Sequence, residues 1–363
     1  MGTVLHLRRA SSADAPALAQ LAAACPMDGL LRLASVPGPR ATAWEQFAGP
    51  RDVWVAEEYN AIIGSASLAE RYTRLDGGLT RWGYFGEGRV LPAARRRGVA
   101  LMLARAGIAV EREVQSRFTA LATLGGNRAM ETFLRRSRDM PCVVPLARMR
   151  VIQWFTLGLP AGRPQVLTRP ARAGDLPDVH RLLSRFWDER ALGSAENLDS
   201  FAAQWTRDES LSLEHAIVAE RHGALVGFGA LWDRRALRRE VVLRYRFPLS
   251  TIARGVRWYA SLRNAPGLPE PGQPLPLAAI RYFAASDVAA GAAVRDALLT
   301  AARDRGLLIV MLGLDSRDPL ADVARGRLRV TIPATLWVGQ AARHTPDVTP
   351  LLGRPAYVDF SLV

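Results

Sequence analysis

The sequence contains no lysine: all 48 of its basic residues are arginine. Such exclusivity is what a codon bias produces, and it differs from selection for a polyanion-binding surface. Cysteine is almost as scarce. Cys25 and Cys142 stand far apart and neither has a CxxC partner, which excludes a disulfide framework or a cysteine zinc site. Each is expected to be a small, buried, reduced residue. The five histidines (His6, His180, His215, His222 and His344) are scattered without HExxH spacing, so no metal is expected. No run of eighteen apolar residues is free of charge, which argues against a bilayer-spanning helix. The opening MGTVLHLRRASSADAP carries arginines where a secretory signal would place its apolar core, so a cytoplasmic, unprocessed chain is expected.

What is present suits a globular protein. Hydrophobic residues make up 49% and charged residues 23%, and 363 residues accommodate two cores better than one. The net charge of +14 favours anionic ligands. No basic motif is interleaved with aromatics, however, and nucleic acid is not an expected partner.

The chain repeats itself weakly. LRRASSADAPALAQLAA, from Leu7, has a counterpart in TRPARAGDLPDVHRLLS, from Thr168: Arg8 matches Arg169, Asp14 matches Asp175, Pro16 matches Pro177 and Leu21 matches Leu182. Both read as a short strand, a turn and an amphipathic helix. The acid followed two residues later by proline suits a helix start, where free amides accept a negative side chain and proline loses nothing. VAEEYNAIIGSASL, from Val55, matches VAERHGALVGFGAL, from Val218. Each is predicted as two strands around a tight turn, at Tyr59–Asn60 or His222–Gly223. Gly64 and Gly227 share one place in the second strand, which marks a bulge or a close backbone approach.

A glycine- and proline-rich break at about 157–164 separates the halves. The expected domains are residues 1–160 and 165–363, the second with an insertion at about 234–276. That insertion ends in NAPGLPEPGQPLP, which is expected to be a surface loop. The first half reads as strand, one or two helices, three strands, helix, strand, helix, strand. Mixed strands flanked by helices indicate an α/β fold.

The segment richest in chemistry is GYFGEGRVLPAARRRGVALMLARAGIAVEREV, residues 83–114. It predicts a strand ending near Val90, a loop opened by Pro92, and a helix from about Gly98. Val99, Met102, Leu103, Ala106 and Val110 recur with helical spacing. A helix N-terminus offers unpaired amides and the positive end of a dipole, a natural anion site. Gly98 admits a close ligand, Ala100 leaves the first turn uncrowded, and Arg95, Arg96 and Arg97 add charge. Together they suit a pyrophosphate; equally, the three arginines could form a solvated basic turn.

The run Arg95 to Ala100 resembles the Q/R-x-x-G-x-G/A signature of the GCN5-related N-acetyltransferases (GNAT superfamily). The preceding strand and proline, the opening strand and helix, the hairpin from Val55, and GGNRAMETFLRRSRDM from Gly125 are similar to that family's segments in the same order. The likeness covers residues 3 to about 145. Together with the internal repeat it implies two tandem GNAT-like domains, each a mixed, mainly antiparallel twisted sheet flanked by helices, with acetyl-CoA as acyl-donor cosubstrate. Backbone groups of Gly88, Arg89 and Val90 would pair with the pantetheine arm as an added strand does. Arg95, Arg96, Arg97, Gly98, Val99, Ala100 and Leu101 would hold the pyrophosphate, and Asn127 would bond the pantetheine. The acetyl group would pass directly to an amine, assisted by a general base and an acid.

The chain departs from the family where protons move. The usual acid, a tyrosine seven residues after the asparagine, falls on Leu134. A glutamate five residues before the asparagine falls on Ala122. The remaining candidates are Tyr84 and Glu87, which would lie on opposite faces of a regular strand. In the second half, residues 288–293 (VAAGAA) keep glycine and alanine but no arginine, and Asp287 would repel a phosphate. That half is expected to have lost coenzyme binding and to wall the acceptor site, since pockets form between domains. The expected activity is N-acetylation of a small amine or peptide by a monomer or homodimer; the alternatives are a catalytically silent acyl-CoA-binding protein and, from charge alone, a polyanion binder. Acceptor specificity is assigned to residues 24–50 and the second half, with Asp28, Glu45 and Asp76 as acids that could attract a cationic amine or simply face solvent.

Overall fold

The computed structural model describes residues 5–41, 49–136, 142–157, 166–207, 209–262, 267–341 and 345–362. In its first half the chain forms β1 (His6–Arg9), α1 (Ala15–Ala24), β2 (Leu31–Pro37), β3 (Arg51–Glu58), β4 (Ala61–Leu75), β5 (Gly78–Val90), α2 (Val99–Glu113), β6 (Phe118–Leu124), α3 (Arg128–Arg136) and β7 (Val143–Phe155). It continues with β8 (Leu167–Pro170), α4 (Leu176–Asp188), α5 (Leu198–Arg207), β9 (Ala216–Arg221), β10 (Ala224–Trp232), β11 (Arg238–Tyr245), α6 (Leu249–Leu262), β12 (Leu277–Ala285), α7 (Val288–Asp304), β13 (Ile309–Asp315) and β14 (Arg329–Gly339). All but the first residue of the break expected at about 157–164 lies outside the described residues. Among the described residues no helix is long and apolar enough to cross a membrane.

Twelve strands form one twisted, mainly antiparallel sheet in the order β1-β3-β4-β5-β6-β14-β7-β13-β12-β10-β9-β8. The pairing repeats. β1, β3, β4 and β5 run antiparallel and β5 meets β6 in parallel; β8, β9, β10 and β12 do the same before β12 meets β13 in parallel. At the centre the halves exchange strands. β14, late in the chain, lies between β6 and β7, while β7 pairs on its other side with β13. Ile152 and Trp154 of β7 are thereby buried in a core built otherwise from β9, β10, β12, α4 and α7.

The matched sequences fold alike for visible reasons. Tyr59 and Asn60, and likewise His222 and Gly223, all take positive φ, as the tight hairpin turns after β3 and β9 require. Arg8 grips Asp14 through two hydrogen bonds of 2.7 and 2.8 Å, and Arg169 grips Asp175 at 2.7 and 2.9 Å. Here the structure corrects the sequence reading. Neither carboxylate caps the helix that follows it; each turns back to the amide of Ser11 or Arg172 and to its arginine. The glycine expectation holds. A side chain at Gly64 would stand 2.8 Å from Val99 and 3.3 Å from Leu103 of α2, and one at Gly227 would stand 3.0 Å from Val294 of α7.

Two further corrections concern the insertion and the cysteines. Residues 234–276 carry β11 and α6, and β11 pairs with β2 in a separate two-stranded sheet, tying the second half to the first. The proline-rich end is not wholly a surface loop, because Leu268 and Leu275 are buried beside Val242 and Ala253. Cys142 is exposed and Cys25 only half-buried, although both are free.

Candidate functional site

β5 and β6 stay together for only three paired positions, Trp82 with Phe118 through Tyr84 with Ala120. Beyond them β5 runs on to Val90 and β6 to Leu124, so the strands splay into a wedge. Along β5 the wedge is lined by a bulge. Two residues, Glu87 and Gly88, stand opposite a single position of β4, and Glu87 takes φ of 52°. Gly88 is exposed, with nothing within 4 Å of where a side chain would be.

The chain leaves the wedge through Leu91, whose amide donates to the Ile63 carbonyl, then Pro92 and a short turn. Arg96 (φ 64°) and Gly98 (φ 82°) swing it into α2. Val99 and Leu103 are buried against Gly64, which presses the helix onto the sheet and fixes where its N-terminus points. Among the described residues no side chain caps that N-terminus. The amides of its first turn therefore face open space over Gly98, with Arg95, Arg96 and Arg97 exposed beside them. The three arginines are not equivalent. Arg97 donates to both oxygens of Glu58, and this pairing raises its pKa and lowers that of Glu58. Arg95 reaches the Val90 carbonyl at 3.3 Å. Among the described residues Arg96 makes no such bond, so it carries the accessible charge.

The second half has the same wedge, since β12 and β13 pair only from Leu277 with Ile309 to Ala279 with Met311. There it is filled. Residues 357–361 lie against Ile280, Tyr282 and Gly313, leaving a cavity far too small for a coenzyme arm. The Phe360 ring comes so close that a side chain at Gly313 would overlap it. The tail is held by the Ala356 amide on Asp315 (2.8 Å), by main-chain bonds to Ala191, and by Arg234 donating to the Ser361 carbonyl. α7 differs from α2 as well. Its N-cap Asp287 accepts from the Ala290 amide at 2.8 Å and pairs with Arg221, which lowers the Asp287 pKa, the Ala290 amide adding to the effect. Val99 and Leu103 on Gly64 correspond to Ala290 and Val294 on Gly227. That register corrects the sequence alignment by two residues: Gly291 lies inside α7, packed on Val323 and Phe283, and does not shape the turn.

The proton-transfer candidates also come out differently. The bulge removes the regular alternation that would separate Tyr84 from Glu87, and the Glu87 charge acts on Tyr84. Tyr84 is buried, which pushes its hydroxyl well above the ordinary phenol range against a main-chain bond at Ala122 and the charge of Arg71. Burial alone would raise the Glu87 carboxyl. The charges of Arg51, Arg238 and Arg89 outweigh it and hold Glu87 below the usual carboxylate range. Arg51 lies 3.2 Å and Arg238 3.6 Å from that carboxylate. Arg238 belongs to β11, and neither it nor Arg51 is marked as a site residue by the sequence; contact across the halves reveals Arg238, and packing of β3 beside the β5 bulge reveals Arg51. Asn127 is exposed, and its Oδ1 accepts from the Met130 amide, so part of its side chain serves the start of α3. Asp28 is paired with Arg32 and Arg246, and Asp76 with Arg117; Glu45 lies outside the described residues.

No family model matches the sequence, and no curated protein matches it. Solved structures match over nearly the whole chain. A GCN5-related N-acetyltransferase from Sphaerobacter thermophilus superposes with a TM-score of 0.55 at 14% identity, covering 98% of both chains. One from Kribbella flavida matches at 0.50 and 15%, covering 92% of this chain and 71% of its own. The N-myristoyltransferase of Saccharomyces cerevisiae, solved with myristoyl-CoA, matches at 0.60 and 9%, covering 94% and 80%. At these identities the likeness establishes the fold, and the chain has the GCN5-related N-acetyltransferase fold.

Proposed function

We propose that the protein is an acetyl-CoA-dependent N-acetyltransferase, with domains at residues 1–160 and 165–363 and a coenzyme site in the first alone. The observation that carries this reading is the uncapped, glycine-opened N-terminus of α2 at the end of the splayed β5. A pyrophosphate would be held by the amides of Val99, Ala100 and Leu101 with the Arg96 charge, Arg95 and Arg97 flanking it. The pantetheine arm would enter the wedge along Gly88, Arg89 and Val90 and bring its thioester toward the bulge, with the Asn127 side-chain amide as a further donor. The solved neighbours, acetyltransferases and an N-myristoyltransferase, support an acyl-CoA donor of some chain length; the acetyl group and the amine acceptor belong to the proposal.

Transfer would be direct, the amine attacking the thioester carbonyl while the thiolate leaves. The two proton-handling candidates divide by environment. Tyr84 stays protonated and suits donation to the leaving sulfur. Glu87 stays ionised and can accept the ammonium proton, weakly, because two arginines depress its basicity. A second reading, an acyl-CoA-binding protein without catalysis, is favoured by Leu134 and Ala122, which cannot move protons, and by that depressed basicity. Calorimetry with acetyl-CoA tests binding, and thiol release over a panel of amines separates the two readings. Arg96→Glu should weaken acetyl-CoA on the order of tenfold or more. Binding that survives this charge reversal defeats the assignment of the α2 turn.

A further inference from the structure

The bulge of β5 is ringed by charge from three elements and by a hydroxyl from a fourth. Arg51 comes from β3, Glu87 and Arg89 from β5, and Arg238 and Glu240 from β11, with the Ser35 hydroxyl of β2 between them. The pairing within this ring is unequal. Glu87 is taken by Arg51 and Arg238. Glu240 is taken by Arg238 at 3.1 Å and by Ser35 at 3.2 Å. Arg89 is the third cation, and among the described residues its guanidinium makes no hydrogen bond and no ion pair within 4 Å. Its surroundings are nonetheless low in water. It is half-buried, and burial lowers its pKa, with Glu87 and Glu240 opposing from a distance and Arg238 adding repulsion.

A guanidinium in this position is under-compensated: water is partly excluded, two carboxylates nearby are spent on other arginines, and Arg238 is close enough to repel it. Such a group gains most from a bound carboxylate or phosphate, which its planar fork matches with two parallel hydrogen bonds. The place matters as much as the charge. Arg89 sits one residue past the bulge, where an amine must stand to reach a thioester lying along β5. Of the three acids expected to draw a cationic acceptor, the two among the described residues, Asp28 and Asp76, are paired with arginines.

We propose that the acceptor is an amine that also carries an anionic group, carboxylate or phosphate, and that the Arg89 guanidinium binds that group. The assignment rests on the acyltransferase reading above. It gives Arg89 two separable duties, its backbone toward the pantetheine arm and its side chain toward the acceptor. The chemical class is an amino acid, the amino end of a short peptide, or an amino phosphate, in preference to a polyamine or a neutral amino sugar.

Acetyl-CoA is first titrated into the wild type; absence of binding defeats the acyltransferase reading and this assignment with it. Protein loaded with CoA, whose free thiol prevents transfer, is then titrated with matched pairs: phenylalanine against phenethylamine, and phosphoethanolamine against ethanolamine. The expected result is at least tenfold tighter binding of an anionic member of a pair, the pair that responds distinguishing carboxylate from phosphate. Arg89→Gln should erase that preference, while Arg89→Lys should restore part of it. Equal or tighter binding of the neutral members, no binding of either anion, or an anion preference that survives in Arg89→Gln would each overturn the assignment. The wild-type preference decides the matter even where a variant folds poorly.

Discussion

The two wedges of this molecule are built on one plan and finished in opposite ways. Between β5 and β6 the pairing stops at Tyr84 with Ala120, nothing stands within 4 Å of where a Gly88 side chain would be, and the helix beside it starts on a glycine that offers no side-chain cap. Between β12 and β13 the same divergence is stoppered by the chain's own residues 357–361, and the neighbouring helix starts on an aspartate that answers those amides internally. In the second half a carboxylate stands where a phosphate would, and an aromatic ring stands where an arm would. Strand pairing alone therefore does not make a coenzyme site; the cap and the filling of the wedge decide.

That contrast can be broken most sharply by giving α2 the cap of α7. Gly98→Asp would place a carboxylate at the N-cap, and acetyl-CoA binding should fall on the order of 100-fold, with Gly98→Asn as the uncharged control. A calorimetric Kd that changes equally in both variants would mean backbone strain, not charge, is responsible. The reverse change, Asp287→Asn, should leave coenzyme stoichiometry unaltered, because the second wedge remains filled.

The stopper itself supplies the next test. Phe360 is buried against Gly313, and Phe360→Ala should lower stability by about 3–5 kcal/mol in urea denaturation. Acetyl-CoA affinity in the first half should not follow. A loss below about 1 kcal/mol would show that the tail is laid on the sheet without filling it.

The smallest effect concerns a feature the two halves share. Asp14 and Asp175 are held below the ordinary carboxylate range, each by its arginine first and also by a backbone amide. A carboxyl whose pKa is depressed on folding binds fewer protons folded than unfolded near pH 4. Its contribution is thus present above the unfolded pKa of about 3.9 and is lost as pH falls through the folded value. Tm measured from pH 7 down to pH 3 should drop along the acid limb, and Asp14→Asn or Asp175→Asn should flatten that drop to similar extents. An unchanged acid limb in both variants would show the pairs contribute nothing to folding.

Local features were legible in the sequence, and long-range ones were not. The hairpins at Tyr59–Asn60 and His222–Gly223, the strand ending at Val90, the helix opening at Gly98 and the glycines under α2 and α7 all follow from signals within a few residues. The fold class followed from their order. The bulge at Glu87 did not, because an extra residue in one strand is visible only against its partner. Arg238 reaches that bulge from β11 through a pairing with β2 across 200 residues of chain, which no motif announces. The exchange of β14 and β7 has the same cause: alternating apolar residues specify a strand and leave its neighbour unnamed. Asn127 and Asp14 show a subtler limit, since a polar residue near a helix start has several amides to choose from.

The position of β14 has a consequence for how the molecule is made. A nascent chain that has already emitted β1 to β7 still exposes one edge of β6 and both edges of β7, because their partners lie beyond residue 308. Unpaired edges of that length are templates for wrong association, and closing them needs contacts across most of the polypeptide, which makes folding slow. Cotranslational maturation of the amino-terminal part alone is therefore excluded by topology. A fragment ending before β13 should accumulate in aggregates or on chaperones, and separately synthesised fragments should recover a native sheet only by assembling together.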